Sequence, residues 1–204
     1  MPDVAESPTK PPGPQKPRKI FLLIGVVLAI GLGVGLFTSL GTKTPDASAG
    51  APHEGGPLPA FSGTNLNGAG RVSVPANGIG HGKPGVLLFF GDWCPSCHEE
   101  LPPLAATVHS QQATASALSK IKVVGIDSED TVDNAKSFIK ASGVTFPVAY
   151  DPNLVITSGT FYFRGDPYAV FVNADGTINR IVRGAQLDPS TFSADEKALI
   201  PSGK

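Results

Sequence analysis

The chain has few of the residues from which several classes of protein are built. Its 204 residues include two cysteines and one methionine, and its formal net charge is -1. Two cysteines are too few for a disulfide scaffold or for a structural zinc site made of thiolates. The near-neutral charge argues against a nucleic-acid-binding protein, which normally carries a basic face. Cys94 and Cys97 therefore form one motif suited to exchange chemistry, and we expect no resident metal or cofactor.

The N-terminal region has the pattern of a membrane anchor. Residues 1–19 are rich in proline and polar side chains, become basic toward their end, and predict a disordered tail. Residues 20–40 carry no charge and predict a helix that spans the ~30 Å hydrocarbon layer. Basic residues precede this segment and only Lys43 follows it closely. The positive-inside rule therefore places the tail in the cytoplasm and the rest of the chain outside.

A cleaved signal peptide is the alternative, because Ala47-Ser48-Ala49 resembles an A-x-A cleavage site. The apolar run is longer than the 7–15 residues of a typical h-region and ends well before this site, which favours retention as a signal-anchor. Residues 41–57 predict a Gly/Pro/Ala/Ser linker, and residues 58–204 predict one exported domain. That domain would lie in a compartment where disulfides persist.

Residues 86–97 predict a buried strand that turns sharply into a helix. The run from Val86 to Phe90 is continuously apolar, and Gly91 permits the turn. With Cys94 as N-cap, Pro95 takes the first helical position, where its missing N–H costs nothing. Cys97 then lies one turn along, so that the two sulfur atoms come within disulfide distance.

The helix start gives the two cysteines different chemistry. The free N–H groups of Ser96 and Cys97 and the helix dipole favour a thiolate at Cys94, so its pKa should fall below the ~8.5 of free cysteine. We expect Cys94 to be the exposed nucleophile and Cys97 to be the shielded thiol that resolves the mixed disulfide.

The remaining segments predict an α/β domain. Hydrophobic periodicity and turn signals place its elements at residues 61–74 (a β-hairpin), about 95–119 (helix), 122–127 (strand), 131–142 (helix, with Val132 on its apolar face), 145–150 (strand), 168–173 and 178–183 (a hairpin), and a final helix capped by Asp188. Alternating strands and helices imply parallel pairing, and the late hairpin adds antiparallel edges. The result is a three-layer α/β/α arrangement with a mixed central sheet and helices on both faces.

Several motifs follow one another in a recognisable order. They are the hairpin at residues 61–68, Gly82-Lys83-Pro84 before the central strand, Trp93-Cys94-Pro95-Ser96-Cys97, Glu100-Leu101-Pro102, Gly165-Asp166-Pro167 and Asn173-Ala174-Asp175-Gly176. Together they resemble the membrane-anchored, thioredoxin-like proteins of the TlpA/ResA family, which includes the cytochrome c maturation reductases. The resemblance covers residues 57–204.

The resemblance implies roles for residues around the dithiol. Cys94 and Cys97 would be the redox pair, and Pro167 the family's cis-proline beside them. Asp166 would offer its backbone to a substrate strand, and the exposed ring of Trp93 would contact substrate. The implied activity is that of a protein-disulfide oxidoreductase.

Three features depart from familiar patterns. Ser96 replaces a second proline that many members have, and residues between the cysteines tune the reduction potential. Leu88 stands where cytoplasmic thioredoxins keep a buried aspartate as proton relay. Asp92, Glu99 and Glu100 flank the motif, and negative charge there would oppose thiolate formation, so we expect Glu100 to modulate the thiols. His98 would shield or modulate them from the surface of the helix.

Other readings of the motif remain as alternatives. Cys94–His98 also fits C-x-x-C-H, the signature of covalent haem, but the second axial ligand would have to be His53, His81 or His109. A copper-delivery protein on the same fold would need C-x-x-x-C and a distant histidine, and no histidine follows His109. The position of the cysteines at a helix start argues against a static structural disulfide. A peroxidatic cysteine would need an activating arginine close by, and the sequence has none near Cys94.

The sequence thus predicts a single-pass, membrane-anchored oxidoreductase with its catalytic domain outside the cytoplasm. Its expected partners are exported proteins with disulfides, including apocytochrome c, and a membrane thiol donor that returns electrons to it. The opposite direction, disulfide formation in exported proteins, is the alternative, because ~60 mV shifts the two-electron equilibrium a hundredfold.

Overall fold

The computed structural model describes residues 50–76, 78–184 and 186–200. Seven strands and three α-helices of these residues form one α/β unit. The strands are β1 (Phe61–Asn65), β2 (Arg71–Val74), β3 (Gly85–Phe90), β4 (Lys122–Ser128), β5 (Val148–Asp151), β6 (Tyr168–Val172) and β7 (Ile178–Arg183). The helices are α1 (Pro95–Ala113), α2 (Val132–Ala141) and α3 (Pro189–Ala198). A 3₁₀ turn (Ala117–Lys120) and a π-helical turn (Val155–Thr160) lie between them.

The strands form one mixed sheet in the order β2-β1-β5-β4-β3-β6-β7. Strands β3, β4 and β5 are parallel neighbours, while β6 runs antiparallel to β3 and to β7. The hairpin of β1 and β2 joins the sheet through antiparallel pairing of β1 with β5. The predicted mixed sheet and N-terminal β-hairpin are confirmed, and they have the arrangement of a thioredoxin-like fold.

The central strand β3 is buried on both faces, as its continuous apolar run predicts. Val86, Leu88 and Phe90 pack with residues of all three α-helices, whereas Leu87 and Phe89 pack against the opposite face. Because β3 lies between β4 and β6, it is held firmly in the middle of the sheet. Its C-terminal end therefore gives the following turn a rigid base.

The second face of the sheet differs from the prediction of helices on both faces. Its apolar cover includes Ile156, Phe161 and Phe163 from the π-helical turn and the segment after it, and not residues of an α-helix. The turn contains three β-branched residues in a row and Gly159, which have low helix propensity. Phe161 stacks edge-on against Phe89 at a centroid distance of 4.9 Å, so that aromatic packing closes this face.

Several predicted boundaries are corrected. The helix after the cysteines ends at Ala113, not near Ser119, and a separate 3₁₀ turn follows it. Strand β5 begins at Val148, because the Val144 and Phe146 carbonyls accept from the Asn67 side chain and Pro147, which has no N–H, only accepts from Gly125 of β4. Val132 is 40% exposed, although the pattern placed it on the buried face of α2, because it is the first residue of that helix.

Residues before β1 also belong to the packed part of the chain. Gly55 donates its N–H to the Ile178 carbonyl, Ile178 donates to Gly56, and Leu58 donates to Gly176. The segment of the predicted linker from 54 to 57 therefore covers the edge of β7. The predicted anchor at residues 20–40 lies outside the described residues, and among the described helices none has the length and apolarity to cross a bilayer.

Candidate redox site

The two cysteines lie at the start of α1, as predicted. Cys94 is the N-cap and Pro95 the first helical residue, and the Cys97 N–H donates to the Cys94 sulfur at 3.2 Å. The Ser96 hydroxyl lies 3.6 Å from the same sulfur. The Cα atoms of Cys94 and Cys97 are 5.3 Å apart, and their sulfurs form a disulfide. This geometry directs hydrogen-bond donors at Cys94, which is what a thiolate at this position requires.

The prediction that Cys94 is exposed is wrong for the oxidised state. Cys94 and Cys97 are each 1% exposed, and both belong to the hydrophobic cluster between the sheet and the helices. The disulfide holds the Cys94 sulfur next to Cys97 in the first turn of α1. In the disulfide form the two cysteines therefore do not differ in solvent exposure.

Cys97 borders a small cavity that it shares with Glu100 and Pro167. The cavity has a volume of about 10 Å³, and its other walls are apolar side chains that include Leu88 and Leu187. Such a volume suffices for about one water molecule. Pro167 is buried and follows a cis peptide bond, which confirms the predicted conformation.

Glu100 is the titratable group of this cavity. Its Oε2 atom is buried and accepts no hydrogen bond from the described residues. Burial raises the pKa of Glu100, and the negative charges of Glu99 and Asp188 raise it further. A carboxyl group that holds its proton more tightly than usual, next to Cys97, can exchange that proton with the resolving thiol directly or through one water.

Trp93 lies at the mouth of the turn with 43% of its surface exposed, as predicted. Its indole N–H donates to the Ser128 carbonyl at 2.8 Å. Gly91 makes this possible, because a Cβ atom there would lie 2.8 Å from the same carbonyl oxygen and closer still to the indole nitrogen. The ring is thus fixed on one edge and open to a substrate on the other.

His98 lies beside the turn and away from the cavity. Its Nε2 atom is 2.6 Å from the Asp92 carbonyl oxygen and 3.5 Å from Oδ1 of the Asp92 side chain. The imidazole packs on Phe138 of α2 at a centroid distance of 4.5 Å. The structure thus connects His98 to the backbone before Cys94, whereas Glu100 adjoins Cys97.

Two carboxyl side chains that the sequence reasoning missed, those of Asp127 and Asp130, lie beside the turn together with Asp166, of which only the backbone was predicted to take part. Asp130 Oδ2 accepts the Asp92 N–H at 2.6 Å, and the Ser128 hydroxyl donates to Asp166. Burial raises the pKa of Asp127 to about 8 and that of Asp166 to about 6. For Asp127 the neighbouring Asp130 adds to the shift, whereas for Asp166 the bond from Ser128 opposes it.

These residues could have been found from the sequence. The segment Ile126-Asp127-Ser128-Glu129-Asp130 follows a predicted strand, and the central strand ends at Phe90 just before the motif. The carboxyl ends of neighbouring parallel strands meet at one edge of a sheet. In the described part of the chain, no group of three or more histidine, cysteine or acidic residues has a geometry that could hold a metal ion.

Comparison with known proteins agrees with this site. Residues 55–181 match the family model described as the AhpC/TSA family. The chain is 31% identical over 156 residues to the soluble secreted antigen MPT53 of Mycobacterium tuberculosis, which covers 76% of this chain and 77% of that protein. It is 23% identical over 192 residues to the thiol-disulfide oxidoreductase ResA of Bacillus subtilis, covering 93% and 98% of the two chains.

Solved structures give the same fold. A secreted Mycobacterium tuberculosis disulfide oxidoreductase, described as homologous to Escherichia coli DsbE, superposes with a TM-score of 0.57 at 28% identity. The superposition covers 68% of this chain and 96% of that chain. The chain therefore belongs to the AhpC/TSA family, as a TlpA/ResA-like thiol-disulfide oxidoreductase of the thioredoxin fold.

Proposed function

We propose that this protein reduces disulfides of exported proteins at the outer face of the cell membrane, to which residues 20–40 anchor it. Its substrates would be exported proteins with oxidised cysteine pairs, apocytochrome c among them, and a membrane thiol donor would return it to the dithiol form. The similarity to a soluble secreted antigen and to a secreted disulfide oxidoreductase supports a site outside the cytoplasm. The charge pattern that flanks the apolar segment supports the orientation.

The reaction is a pair of thiol-disulfide exchanges. The Cys94 thiolate attacks one sulfur of the substrate disulfide, and the other sulfur leaves as a thiolate that takes up a proton. Cys97 then loses its proton, for which Glu100 is the adjacent acceptor, and attacks the Cys94 sulfur of the mixed disulfide. The substrate leaves as a dithiol and the enzyme keeps the disulfide, so two electrons and two protons pass to the substrate.

The observation that carries the direction of electron flow is the excess of carboxyl groups around the dithiol. Asp92 precedes the motif, the Asp130 carboxyl accepts a hydrogen bond from the Asp92 N–H, and Glu100 adjoins Cys97. Negative charge makes a thiolate less stable, and a less stable thiolate makes the dithiol a stronger reductant. This arrangement supports a reductase.

One feature favours the opposite direction, a protein that forms disulfides in exported substrates. The N–H of Cys97 at 3.2 Å and the hydroxyl of Ser96 at 3.6 Å both stabilise a thiolate at Cys94. Strong stabilisation of this kind characterises oxidants, whose reduced form is favoured. The balance between these donors and the carboxyl groups determines the direction.

The reduction potential of the Cys94–Cys97 couple tests the proposal. We expect a value near the ~-270 mV of thioredoxin, and a value near ~-120 mV would identify an oxidant. Equilibration of the full chain with glutathione buffers, followed by quantification of the two thiols, measures it. A Cys97→Ala variant should trap exported proteins through Cys94, and identification of the trapped proteins tests the substrate class. A Cys94→Ala variant is the matched control.

A further inference from the structure

One of the buried acidic side chains that the mechanism leaves unused lies beside the redox turn. Asp127 is fully buried, with 0% exposure, near the C-terminal end of β4. It pairs in register with Phe90, the last residue of β3, and the turn to Cys94 begins at the next residue. No N–H or O–H group of the described residues donates to either of its carboxyl oxygens. A buried polar group without a donor requires a physical explanation.

The neighbour with which Asp127 can form a hydrogen bond is another carboxyl group, that of Asp130. Two carboxylates only accept hydrogen bonds, so the pair is bonded only when one member is protonated. Asp130 already accepts the Asp92 N–H at 2.6 Å and is the better anion of the two. A proton on Asp127 would let its O–H donate to Asp130, and Asp130 would then stay the anion that holds the Asp92 N–H.

This pair is connected directly to the redox motif. The Asp92 N–H that Asp130 holds lies two residues before Cys94. Ser128, the last residue of β4, provides its carbonyl for Trp93 and its hydroxyl for Asp166, the residue before Pro167. Movement of the segment from Asp127 to Asp130 would change the positions of the dithiol and of the proline segment together.

We propose that Asp127 is a positioning residue of the redox site that works as a neutral carboxylic acid, whose O–H orients Asp130 so that Asp130 holds the turn that delivers Cys94. The proposal rests on the thiol-disulfide exchange activity of the protein and assigns no proton transfer to Asp127 itself. In this role Asp127 must be protonated, whereas a residue that acts as an anionic base must be deprotonated.

The surroundings of Asp127 explain why it keeps its proton. The titratable groups near it are Asp92 in the turn before α1, Asp130 in the loop after β4, Tyr150 on β5 and Asp166 before β6. These groups are acids, and no lysine or arginine within residues 50–76, 78–184 and 186–200 opposes them at Asp127. Burial is the largest cause that raises its pKa, to about 8, and Asp130 is the second. Above that pH the added charge would separate Asp127 from Asp130.

Two substitutions separate the neutral-acid role from an anionic role. In Asp127→Asn the amide can still donate to Asp130, so we expect the full chain to reduce insulin disulfides at pH 7 at a rate within about twofold of the wild-type rate. Asp127→Leu has a similar shape but no donor, and we expect a loss of ~10-fold or more. Glu196→Gln, which alters another buried carboxyl on α3, is the matched control and should retain the wild-type rate.

A titration of the oxidised protein gives an independent readout. Trp93 is the only tryptophan, and its indole is bonded to Ser128, the residue after Asp127. The disulfide form has no thiol to titrate. We expect a change in Trp93 fluorescence with a midpoint near pH 8 in the wild type and in Glu196→Gln, and no such change in Asp127→Asn. Asp130→Asn should shift the midpoint to lower pH, because it removes the repulsion from Asp130.

The inference is overturned if Asp127→Asn loses as much activity as Asp127→Leu, if Asp127→Leu keeps the wild-type rate, or if the titration persists in Asp127→Asn. If Asp127→Leu does not fold, the comparison of wild type with Asp127→Asn still decides. A wild-type protein that exchanges no disulfides refutes the proposed function instead, and the fluorescence titration of the oxidised form then tests the Asp127–Asp130 pair separately.

Discussion

Replacement of Gly91 by alanine tests whether the turn before Cys94 depends on close backbone packing. A Cβ atom at this position would lie 2.8 Å from the Ser128 carbonyl oxygen and would also meet the indole of Trp93. Both atoms belong to the hydrogen bond that fixes Trp93 at 2.8 Å. Since backbone and a hydrogen-bonded ring cannot move aside without loss of this bond, the turn itself must shift.

Three effects set the change in the free energy of unfolding: two lower it and one raises it. Loss of the indole hydrogen bond destabilises by ~1 kcal/mol, and overpacking of a buried site by ~1–3 kcal/mol. The reduced entropy of the unfolded chain returns ~0.4–1 kcal/mol. We therefore expect Gly91→Ala to lower the free energy of unfolding by about 1–3 kcal/mol. Because the turn carries Cys94, the rate of disulfide exchange should fall as well.

Urea unfolding followed by far-ultraviolet circular dichroism measures the first effect, and insulin reduction measures the second. Gly159→Ala is the control, because the nearest atom that its Cβ would meet is the Leu154 carbonyl oxygen at 3.6 Å, an ordinary contact. We expect this control to keep or slightly gain stability and to retain activity. A Gly91→Ala protein with wild-type stability and unchanged Trp93 fluorescence would refute the reasoning.

Three further predictions concern side chains of the site. Glu100→Gln should slow resolution of the mixed disulfide by ~10²-fold, whereas Glu99→Gln should not. Gel electrophoresis of reactions quenched at successive times would show this as a longer-lived adduct on Cys94. Ser128→Ala should lower the unfolding free energy by ~1.5–3 kcal/mol, because the partly buried Asp166 carboxyl loses its donor, and urea unfolding checks this. The pKa of Asp127 is about 8 in the folded state and 3.8 ordinarily, so the folded protein binds a proton that the unfolded chain releases. Its contribution to stability is therefore present in acid and lost as the pH rises toward 8, and in Asp127→Asn urea unfolding should show a shallower decline of stability over this range than in the wild type. A decline of equal slope in the two proteins would contradict the assignment.

Much of the fold follows from local pattern. The run from Val86 to Phe90 is apolar at every position, and such runs form central strands in a sheet that is covered on both faces. The two hairpins have clear turn signals at Asn67-Gly68 and Asp175-Gly176, and both exist. The π-helical turn from Val155 to Thr160 could not be predicted in this way, because Phe161 and Phe163 pack there through tertiary contacts that no local period shows.

The sequence predicted those parts of the redox site that depend on local pattern and not those that depend on tertiary packing. Cys94, Pro95 and Cys97 are placed by the capping rules of one helix, which the sequence displays directly. Pro167 reaches the cavity of Cys97 through strand pairing of β6 with β3, and only the family resemblance indicated it beforehand. Burial of Cys94 and protonation of Asp127 depend on the packing of the whole domain, so that no window of sequence could reveal them.

The order in which the two thiols react tests the central claim most directly. Iodoacetamide labelling of the reduced full chain over a range of pH, with the two cysteines separated by peptide mapping, gives a rate and an apparent pKa for each. The donors directed at its sulfur predict that Cys94 reacts faster and titrates at lower pH than Cys97. Faster labelling of Cys97, or identical titration of the two thiols, would contradict the assignment of Cys94 as the nucleophile.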